Sequence, residues 1–514
     1  MPSKKLRETL EQLQSFSEPS KHAQIFRALF GPSRFYEPRT YQEALASEDR
    51  KKWITSMADE HSSLKENNTW VEIETDHVPQ GKQILPGRWI YKRKGDGRFK
   101  SRWVVQGFRQ RPGIDYDETY ASVAEASSHK LIYAISVLNA WYIRQADFKT
   151  AFLNSEIDCE IYIQLPKGFE KPDTVGLLNK SLYGLKQAPK IWWNLITEQL
   201  VKLGLRCSTF DPCVFIGEEI LVGLHVDDIQ LAGKSLSRIN SVLDGLANSF
   251  EMTMMGEPKK FLGIEIEYDQ TGRRMHLCQE RHIQDLLIHF GMQDCNAATT
   301  PMVPTERLDS ATPGEPLDEQ EAKMYQSGVG SLNFLCTMTR PDIAFPLSVI
   351  SKFNADPRER HMQALKRILR YLKGTADLGI TYSAEGGTAQ HLHAYSDSDF
   401  AGTIVSEDRR STGAFITLLA NGPISWRSRR QTTIAVSSTQ AEYTAQFEAM
   451  KETVGLRNQL AEILQLQDKL EPSLLYADNT QAITQAQKPA VERKAKHWDI
   501  PLHKQREFVE QKQI

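Results

Sequence analysis

The sequence has few cysteines and no long apolar run. Its 6 cysteines form no C-x-x-C pair, which disfavours zinc ribbons, zinc knuckles and a secreted disulfide framework. No apolar stretch approaches the roughly 18 residues of a membrane-spanning helix, and the N-terminus lacks the apolar core of a signal peptide. We therefore expect a reduced intracellular setting, cytoplasmic or nuclear, with no membrane partner.

The chain also lacks an excess of either charge. With 63 Lys+Arg against 65 Asp+Glu, its formal net charge is −2, which excludes a globally basic coat for nucleic acids and leaves only local patches. Hydrophobic residues make up 40% of the 514 positions. At roughly 100 to 200 residues per domain, this length predicts several domains rather than one.

Helical and alternating patterns follow one another from Tyr41 onward and predict an α+β chain. Two strand pairs with turn residues between them predict hairpins, the first over 88–92 and 99–105 and the second over 213–216 and 220–226. Further strands near 391–396, 413–419 and 423–427 precede a helix over about 439–464. Proline-rich stretches predict a tail over 1–40 and a hinge over 301–318.

Three acidic residues occupy strand ends in the first half of the chain. Asp147 ends a predicted strand, and Asp227 and Asp228 follow an apolar strand on a tight connection. Converging carboxylates repel one another unless cations neutralise them, and Mg²⁺ prefers hard carboxylate oxygens. A pair of such ions can activate a hydroxyl and stabilise a leaving phosphate group. The alternative for any Asp-Asp pair is a solvated turn.

Several long motifs in this order resemble those of the reverse transcriptases of copia-type long-terminal-repeat retrotransposons. They are QADFKTAFLN (145–154), SLYGLKQAP (181–189) and LHVDD (224–228), with FLGIEI (261–266) downstream. The resemblance implies that Asp147, Asp227 and Asp228 are metal ligands. It also implies that Phe152 is a steric gate that excludes the ribose 2′ hydroxyl, and that Gln187 supports the incoming nucleotide.

A basic hairpin precedes these motifs. Residues 88–111 hold nine basic residues against Asp96. Lys100 and Arg102 lie on one face of a predicted strand and Trp103 and Val105 on the other, as expected for fingers that close on a triphosphate. The alternative is an ordinary solvated face.

The C-terminal part contains a second set of acids: Asp397, Glu442, Asp478 and Asp499. Each has a structural alternative, because Thr439 and Glu442 fit a capping box, the Asp478-Asn479 pair could cap the next helix and Asp499 could cap the last. In the contexts YSDSDFAG, SSTQAEY, YADN and KHWDI they resemble the ribonuclease H domain of the same elements. The resemblance implies that they hold metal ions for attack of water on RNA. Asp399 has an uncertain role, and IPLHK after Asp499 departs from the family.

The resemblance implies a right-hand polymerase (fingers, palm and thumb, with an antiparallel palm sheet) followed by a ribonuclease H-like mixed α/β domain. The expected domains of the chain are a tail (1–40), fingers and palm (41–300), thumb or connection (301–385) and ribonuclease H-like domain (386–514). The sequence departs from the family pattern at three positions: His225, Ser155 and Gln106. Because histidine keeps a planar ring beside the primer end, we expect His225 to alter efficiency rather than abolish activity, and Gln106 removes one positive charge from the fingers.

The implied function is to copy retrotransposon RNA into DNA and to cleave the RNA of the hybrid. The implied cofactor is Mg²⁺, two ions per active site, with Mn²⁺ possible. The implied partners are an RNA template, a DNA or tRNA-type primer, the RNA·DNA hybrid and deoxynucleoside triphosphates, in a particle-associated cytoplasmic or a nuclear setting. The alternative is a decayed or co-opted remnant that binds nucleic acid without catalysis.

Overall fold

The computed structural model describes most of the chain. It covers residues 37–94, 97–119, 122, 124–303, 308, 314–386, 391–402, 409–465, 470–487 and 499–514, with backbone alone at 499–502. The expected tail over 1–40 therefore lies almost wholly outside the described residues, as does the turn at Gly95 and Asp96. Among the residues described, no helix is both long and apolar enough to cross a bilayer.

The described elements form an α+β chain with twelve α-helices and twenty strands. The helices are α1 Tyr41–Ala46, α2 Arg50–Glu66, α3 Ala126–Asn139, α4 Ala188–Lys202, α5 Leu236–Ala247, α6 Glu280–His289, α7 Glu319–Met338, α8 Ala344–Ile350, α9 Glu359–Gly374, α10 Ser438–Leu464, α11 Thr480–Gln487 and α12 Asp499–Glu510. The first ten strands are β1 Trp70–Glu74, β2 Ile84–Leu85, β3 Gly87–Arg93, β4 Phe99–Val105, β5 Tyr142–Phe148, β6 Tyr162–Ile163, β7 Thr174–Leu178, β8 Arg206–Cys207, β9 Val214–Gly217 and β10 Ile220–His225. The others are β11 Asp228–Gly233, β12 Met252–Gly256, β13 Lys260–Phe261, β14 Ile264–Asp269, β15 Arg274–Cys278, β16 Ile380–Ser383, β17 His393–Asp399, β18 Thr412–Leu419, β19 Gly422–Arg430 and β20 Leu474–Tyr476.

The palm is a sheet of six antiparallel strands in the order β12-β5-β11-β10-β9-β8. Side chains alternate between its faces. Ala146 and Phe148 of β5 face a core shared with α4 and α5, whereas Ile143 packs with α3. This confirms the expected antiparallel sheet and brings the ends of β5 and β11 together.

The fingers hairpin of β3 and β4 packs on α2. Trp53 meets Tyr91 and Phe99 edge to face, with ring centroids 5.2 and 4.5 Å away. Trp103 and Val105 are buried, while Lys100 and Arg102 keep partial exposure on the opposite face. The predicted alternation is therefore confirmed.

Three further sheets and a helical cluster complete the described fold. One sheet has the strand order β1-β7-β6-β2. Helices α6 to α9 share one core, in which Ile283 of α6 packs with Leu365 of α9. Strand β16 returns after this cluster to pair with β15. The C-terminal sheet has the order β19-β18-β17-β20, with β17 and β20 parallel and the other pairs antiparallel. The expected mixed α/β architecture is thus present, and the expected domain boundaries at 40, 300 and 385 stay predictions.

Candidate active sites

A two-residue turn presents the acidic pair of the palm. His225 pairs with Asp228 across β10 and β11, so Val226 and Asp227 form the turn. Val226 has a φ of +55°, a left-handed conformation that is strained for a β-branched residue. The turn is held from both sides: Trp192 Nε1 donates to the Val226 carbonyl at 2.6 Å, and the Phe148 amide donates to the Asp227 carbonyl at 2.7 Å.

Asp147 lies directly opposite Asp228 in the register of β5 and β11. Opposed residues in antiparallel strands place their Cβ atoms about 4.5 to 5.5 Å apart. Burial, and then the charge of Asp227, raises the pKa of Asp147. Burial and the same neighbour raise the pKa of Asp228 to about 6. The ionised forms of Asp147 and Asp228 are therefore destabilised, and a bound cation would relieve this repulsion.

The donor set would suit Mg²⁺, because all three candidate ligands are carboxylates. The palm acids are more widely spread than the C-terminal acids. Within the described part of the chain, three-residue clusters with ligand atoms all within 4.8 Å occur at the C-terminal acids and at the exposed set Glu74, Asp76 and His77. A cation in the palm would have to draw Asp147, Asp227 and Asp228 closer together.

Arg102 links the fingers to the acidic turn. Its Nη2 atom lies 3.9 Å from a carboxylate oxygen of Asp227, and its guanidinium lies 4.6 Å from the centre of the Tyr183 ring. Phe152, which is 8% exposed, meets the same tyrosine edge to face at 4.8 Å. Burial and the charge of Arg102 lower the pKa of Lys100. The structure thus brings Arg102 and Phe152 against Tyr183, which belongs to the SLYGLKQAP motif.

The fingers and palm approach closely at Gly184. The Val105 amide donates to the Tyr183 carbonyl at 2.9 Å. Gly184 has a φ of +95°, and a Cβ atom there would lie 2.1 Å from the Val105 carbonyl oxygen. Only glycine fits this crossing.

Gln187 is placed differently from what its implied role suggests. Its side chain is 1% exposed. Its Oε1 accepts from Gln110 Nε2 at 2.9 Å, and its Nε2 donates to the Asp115 carbonyl at 3.0 Å. In this arrangement the Gln187 amide positions the 110–115 loop. Gln110 was missed by sequence reasoning, because no local pattern distinguishes it.

The C-terminal acids converge from three elements. Asp397 lies on β17, Glu442 on α10, and Asp478 just after β20. Their nearest oxygen atoms all lie within 4.8 Å of one another. The parallel pairing of β17 and β20, with Tyr395 opposite Tyr476, explains why the two aspartates arrive side by side. They line a cleft of about 730 Å³.

Glu442 is the buried member of this cluster, at 7% exposure. Its Oε1 accepts from the Ser398 amide at 3.2 Å and from Ser398 Oγ at 3.1 Å. Burial, together with Asp397 and Asp478, raises its pKa. Its Oε2 is buried without a hydrogen-bond partner in the described structure. A buried, unsatisfied carboxylate oxygen among two further acids fits a divalent cation.

The capping-box alternative for Glu442 is wrong, whereas the cap expected at the Asp478-Asn479 pair is present and is made by Asn479. Ser437, not Thr439, caps α10, because its side chain accepts from the Gln440 amide at 3.2 Å. Asn479 Oδ1 accepts from the Ala482 amide at 2.9 Å, so Asn479 provides the cap of α11. The carboxylates of Glu442 and Asp478 therefore belong to the acidic cluster rather than to a helix cap.

The fourth expected acid is only partly described. Asp499 begins α12, but its side chain lies outside the described residues. Asp399, two residues after Asp397, also lines the cleft. Burial and the charge of Asp397 raise the pKa of Asp399.

Comparisons with known proteins identify relatives of this chain. Residues 67–304 match the family described as "Reverse transcriptase (RNA-dependent DNA polymerase)". The "Retrovirus-related Pol polyprotein from transposon TNT 1-94" of Nicotiana tabacum is 34% identical over 495 residues, which cover 93% of this chain and 36% of that protein. The "Putative transposon Ty5-1 protein YCL074W" of Saccharomyces cerevisiae is 32% identical over 314 residues, covering 60% of this chain and 99% of that protein.

Among solved structures, a foamy viral protease-reverse transcriptase in complex with double-stranded DNA is similar at a TM-score of 0.49 and 15% identity, over 89% of this chain and 68% of that chain. The chain spans about a third of the length of the first curated relatives, at 36%, 32% and 32%. Since it covers nearly all of the yeast protein and matches copia-type relatives along almost its whole length, it belongs to the reverse transcriptase family of copia-type retrotransposon Pol polyproteins.

Proposed function

We propose that this chain is an RNA-directed DNA polymerase joined to a ribonuclease H, which together copy retrotransposon RNA into DNA. The observation that carries the proposal is the register of Asp147 against Asp228, with Asp227 on the turn beside them. A sheet edge that gathers three acids within reach of Lys100 and Arg102 suits phosphoryl transfer better than a solvated turn.

In the polymerase centre, Asp147, Asp227 and Asp228 would hold two Mg²⁺ ions. Such ions, when bound, lower the pKa of the attacking 3′ hydroxyl and stabilise the leaving pyrophosphate. Mn²⁺ has similar oxygen preferences and is the expected substitute.

The surrounding side chains bind and orient the substrate. Arg102, held over the Tyr183 ring, presents a planar fork of donors to a triphosphate, and Lys100 adds a second cation beside Asp147. Phe152 packs against the same tyrosine, so its ring is held firmly enough to act as a gate under the sugar. Gln187 acts indirectly, by positioning the loop that contains Gln110.

In the ribonuclease centre, Asp397, Glu442, Asp478 and Asp499 would hold two further Mg²⁺ ions. Ser398 fixes the orientation of Glu442 through two hydrogen bonds. The attacking group here is water and the scissile phosphate lies in RNA. The expected partners are the RNA template, a DNA or tRNA-type primer, deoxynucleoside triphosphates and the RNA·DNA hybrid, which would be recognised by backbone shape and 2′ hydroxyls.

Magnesium-dependent extension of a DNA primer on an RNA template tests the polymerase. The purified chain should extend the primer, and Asp228→Asn should reduce extension at least about a hundredfold, because a metal ligand is lost. Asp244→Asn is the matched control, since Asp244 is an exposed aspartate on α5. If the wild type binds the primer–template but extends nothing, the non-catalytic remnant is the correct account.

A labelled RNA·DNA hybrid tests the second centre separately. We expect Mg²⁺-dependent RNA cleavage by the wild type and its loss in Glu442→Gln, which keeps the shape of the side chain but removes its charge. Glu448→Gln, on the exposed side of the same helix, should cleave normally. Cleavage that survives Glu442→Gln would remove this residue from the proposed centre.

A further inference from the structure

A large cavity lies between the palm, the helical cluster and the C-terminal sheet. Its volume is about 830 Å³, within the range of pockets that hold small molecules. Helices α3, α7 and α8 and strand β19 form its walls. Its charged lining residues are Lys130, Lys352, Arg427, Arg429, Arg430, Glu125 and Glu452. The five cations outnumber the two acids. None of the proposed metal-binding acids lines this cavity, although it shares the wall formed by Ala344, Trp426, Arg427 and Ser428 with the cleft of the C-terminal acids.

Lys130 is the most buried of these cations, at 3% exposure. Its Nζ donates to the Thr337 carbonyl at 2.7 Å and lies 3.8 Å from the centre of the Trp426 ring. Burial lowers its pKa to about 7, and no carboxylate in the described part of the chain offsets this effect. A buried ammonium without a counter-ion is costly, so an anion supplied from outside would stabilise it.

A second lysine faces the same space. Lys352 is exposed, and partial desolvation together with the charge of Arg430 lowers its pKa to about 8. Arg429 is exposed at the mouth of the cavity. Glu125 Oε2 accepts from Ser127 Oγ at 3.2 Å, and Glu125 and Glu452 leave the five lining cations in excess. Arg427 lies 3.6 Å from Glu448, so it contributes less uncompensated charge.

The first turn of α3 adds a further attraction for anions. Ala126 and Ser127 of this turn line the cavity. The N-terminal end of a helix carries a partial positive charge and amides that lack helical partners. Lys130 lies one turn further along the same helix, so the helix end and the buried ammonium act on the same space.

We propose that this cavity is an anion site for a ligand with at least two linked phosphates, separate from both carboxylate centres. Lys130 and Lys352 approach from different walls, and two separated cations are better matched by a polyphosphate than by a single small anion. The phosphates could come from a free nucleotide or from the backbone of a bound nucleic acid. Both sources present the same chemistry to the cavity.

Calorimetric titration of the full chain with inorganic tripolyphosphate tests the site. EDTA is included so that neither carboxylate centre binds the probe through a metal. We expect one binding event that weakens at least tenfold in Lys352→Met/Arg429→Ala. The matched control is Lys323→Met/Arg274→Ala, because Lys323 is 71% exposed on α7 and Arg274 is exposed on β15. Absence of binding by the wild type, or equal weakening in both variants, would overturn the proposal.

The salt dependence of binding to an RNA·DNA hybrid distinguishes the two sources. Each phosphate contact contributes roughly 0.7 to 0.9 to the slope of log K against log salt. If the backbone occupies the cavity, the slope should fall by about one to two in Lys352→Met/Arg429→Ala and the control should keep it. If a free nucleotide is the ligand, the slope stays unchanged while tripolyphosphate binding is lost. Both measurements need neither metal nor turnover, so they stand apart from the proposed activities.

Discussion

Replacing Glu462 with alanine should loosen the contact between helix α10 and the palm. This carboxylate is 11% exposed and accepts from Arg206 Nη1 at 2.7 Å, from Ser208 Oγ at 2.6 Å and from the Thr209 amide at 3.1 Å. Around it, Leu460 and Ile463 of α10 share one hydrophobic core with Val214 of the palm. Glu462 therefore joins the two proposed enzymes at their interface.

The size of the effect follows from these bonds. A hydrogen bond to a charged group contributes about 1.5 to 3 kcal/mol, but Arg206 is 51% exposed, so its ion pair is worth roughly 1 kcal/mol or less. Allowing for non-additivity, we expect the Glu462→Ala variant to lose about 3 kcal/mol of docking free energy. This corresponds to about a 150-fold change in the docking equilibrium.

Hydrogen exchange of the backbone amides of 456–464 measures this change directly, because their exchange requires α10 to leave the palm. Glu448→Ala is the control on the same helix. Glu448 is 40% exposed and pairs only with surface cations in the described structure, so its loss should speed exchange less than about fivefold. Equal rates in the two variants would refute the assignment of docking free energy to Glu462.

Three further predictions concern single residues. The pKa of Lys130 is lowered from 10.5 to about 7 in the folded chain, so the unfolded chain alone keeps this proton between pH 7 and 10. The free energy of unfolding of the wild type, measured relative to that of Lys130→Met, should therefore rise from pH 7 to 9 by at most about 1.4 kcal/mol per pH unit. Urea denaturation measures both free energies, and an equal pH dependence of the two proteins would contradict this. Ala140 ends α3 with a φ of +52°, so Ala140→Gly should raise the urea midpoint by relieving about 0.5 to 1 kcal/mol of strain, and a lower midpoint would count against it. Trp192→Phe removes the hydrogen bond to Val226 and should slow primer extension roughly tenfold while hybrid cleavage stays normal; equal slowing of both would indicate a global effect.

Local patterns predicted the elements that place the acids. Period-two alternation identified the face of β4 that carries Lys100 and Arg102, because a strand buried on one side shows it directly. Strand ends identified Asp147 and the 227–228 pair. Helix α10 was predicted over 439–464 and is found at Ser438–Leu464. These features depend on contacts between near neighbours in sequence.

Contacts between residues distant in sequence determine the features that local patterns did not predict. Thr439 and Glu442 have the spacing of a capping box, but they do not cap the helix. Ser437 has the extended backbone of an N-cap residue and makes the cap. The inward direction of the Gln187 amide depends on Gln110, 77 residues away. The pairing of β15 with β16 joins segments about a hundred residues apart. No local propensity encodes such distant pairings.

The central claim is that one chain carries two independent centres, and one assay with two labels tests it most directly. A hybrid with labelled RNA template and labelled DNA primer is incubated with Mg²⁺ and deoxynucleoside triphosphates, and both strands are followed. We predict that Asp228→Asn stops primer extension but not RNA cleavage, and that Glu442→Gln stops RNA cleavage but not extension. Loss of both activities in either variant, or of neither, would contradict two separate carboxylate centres.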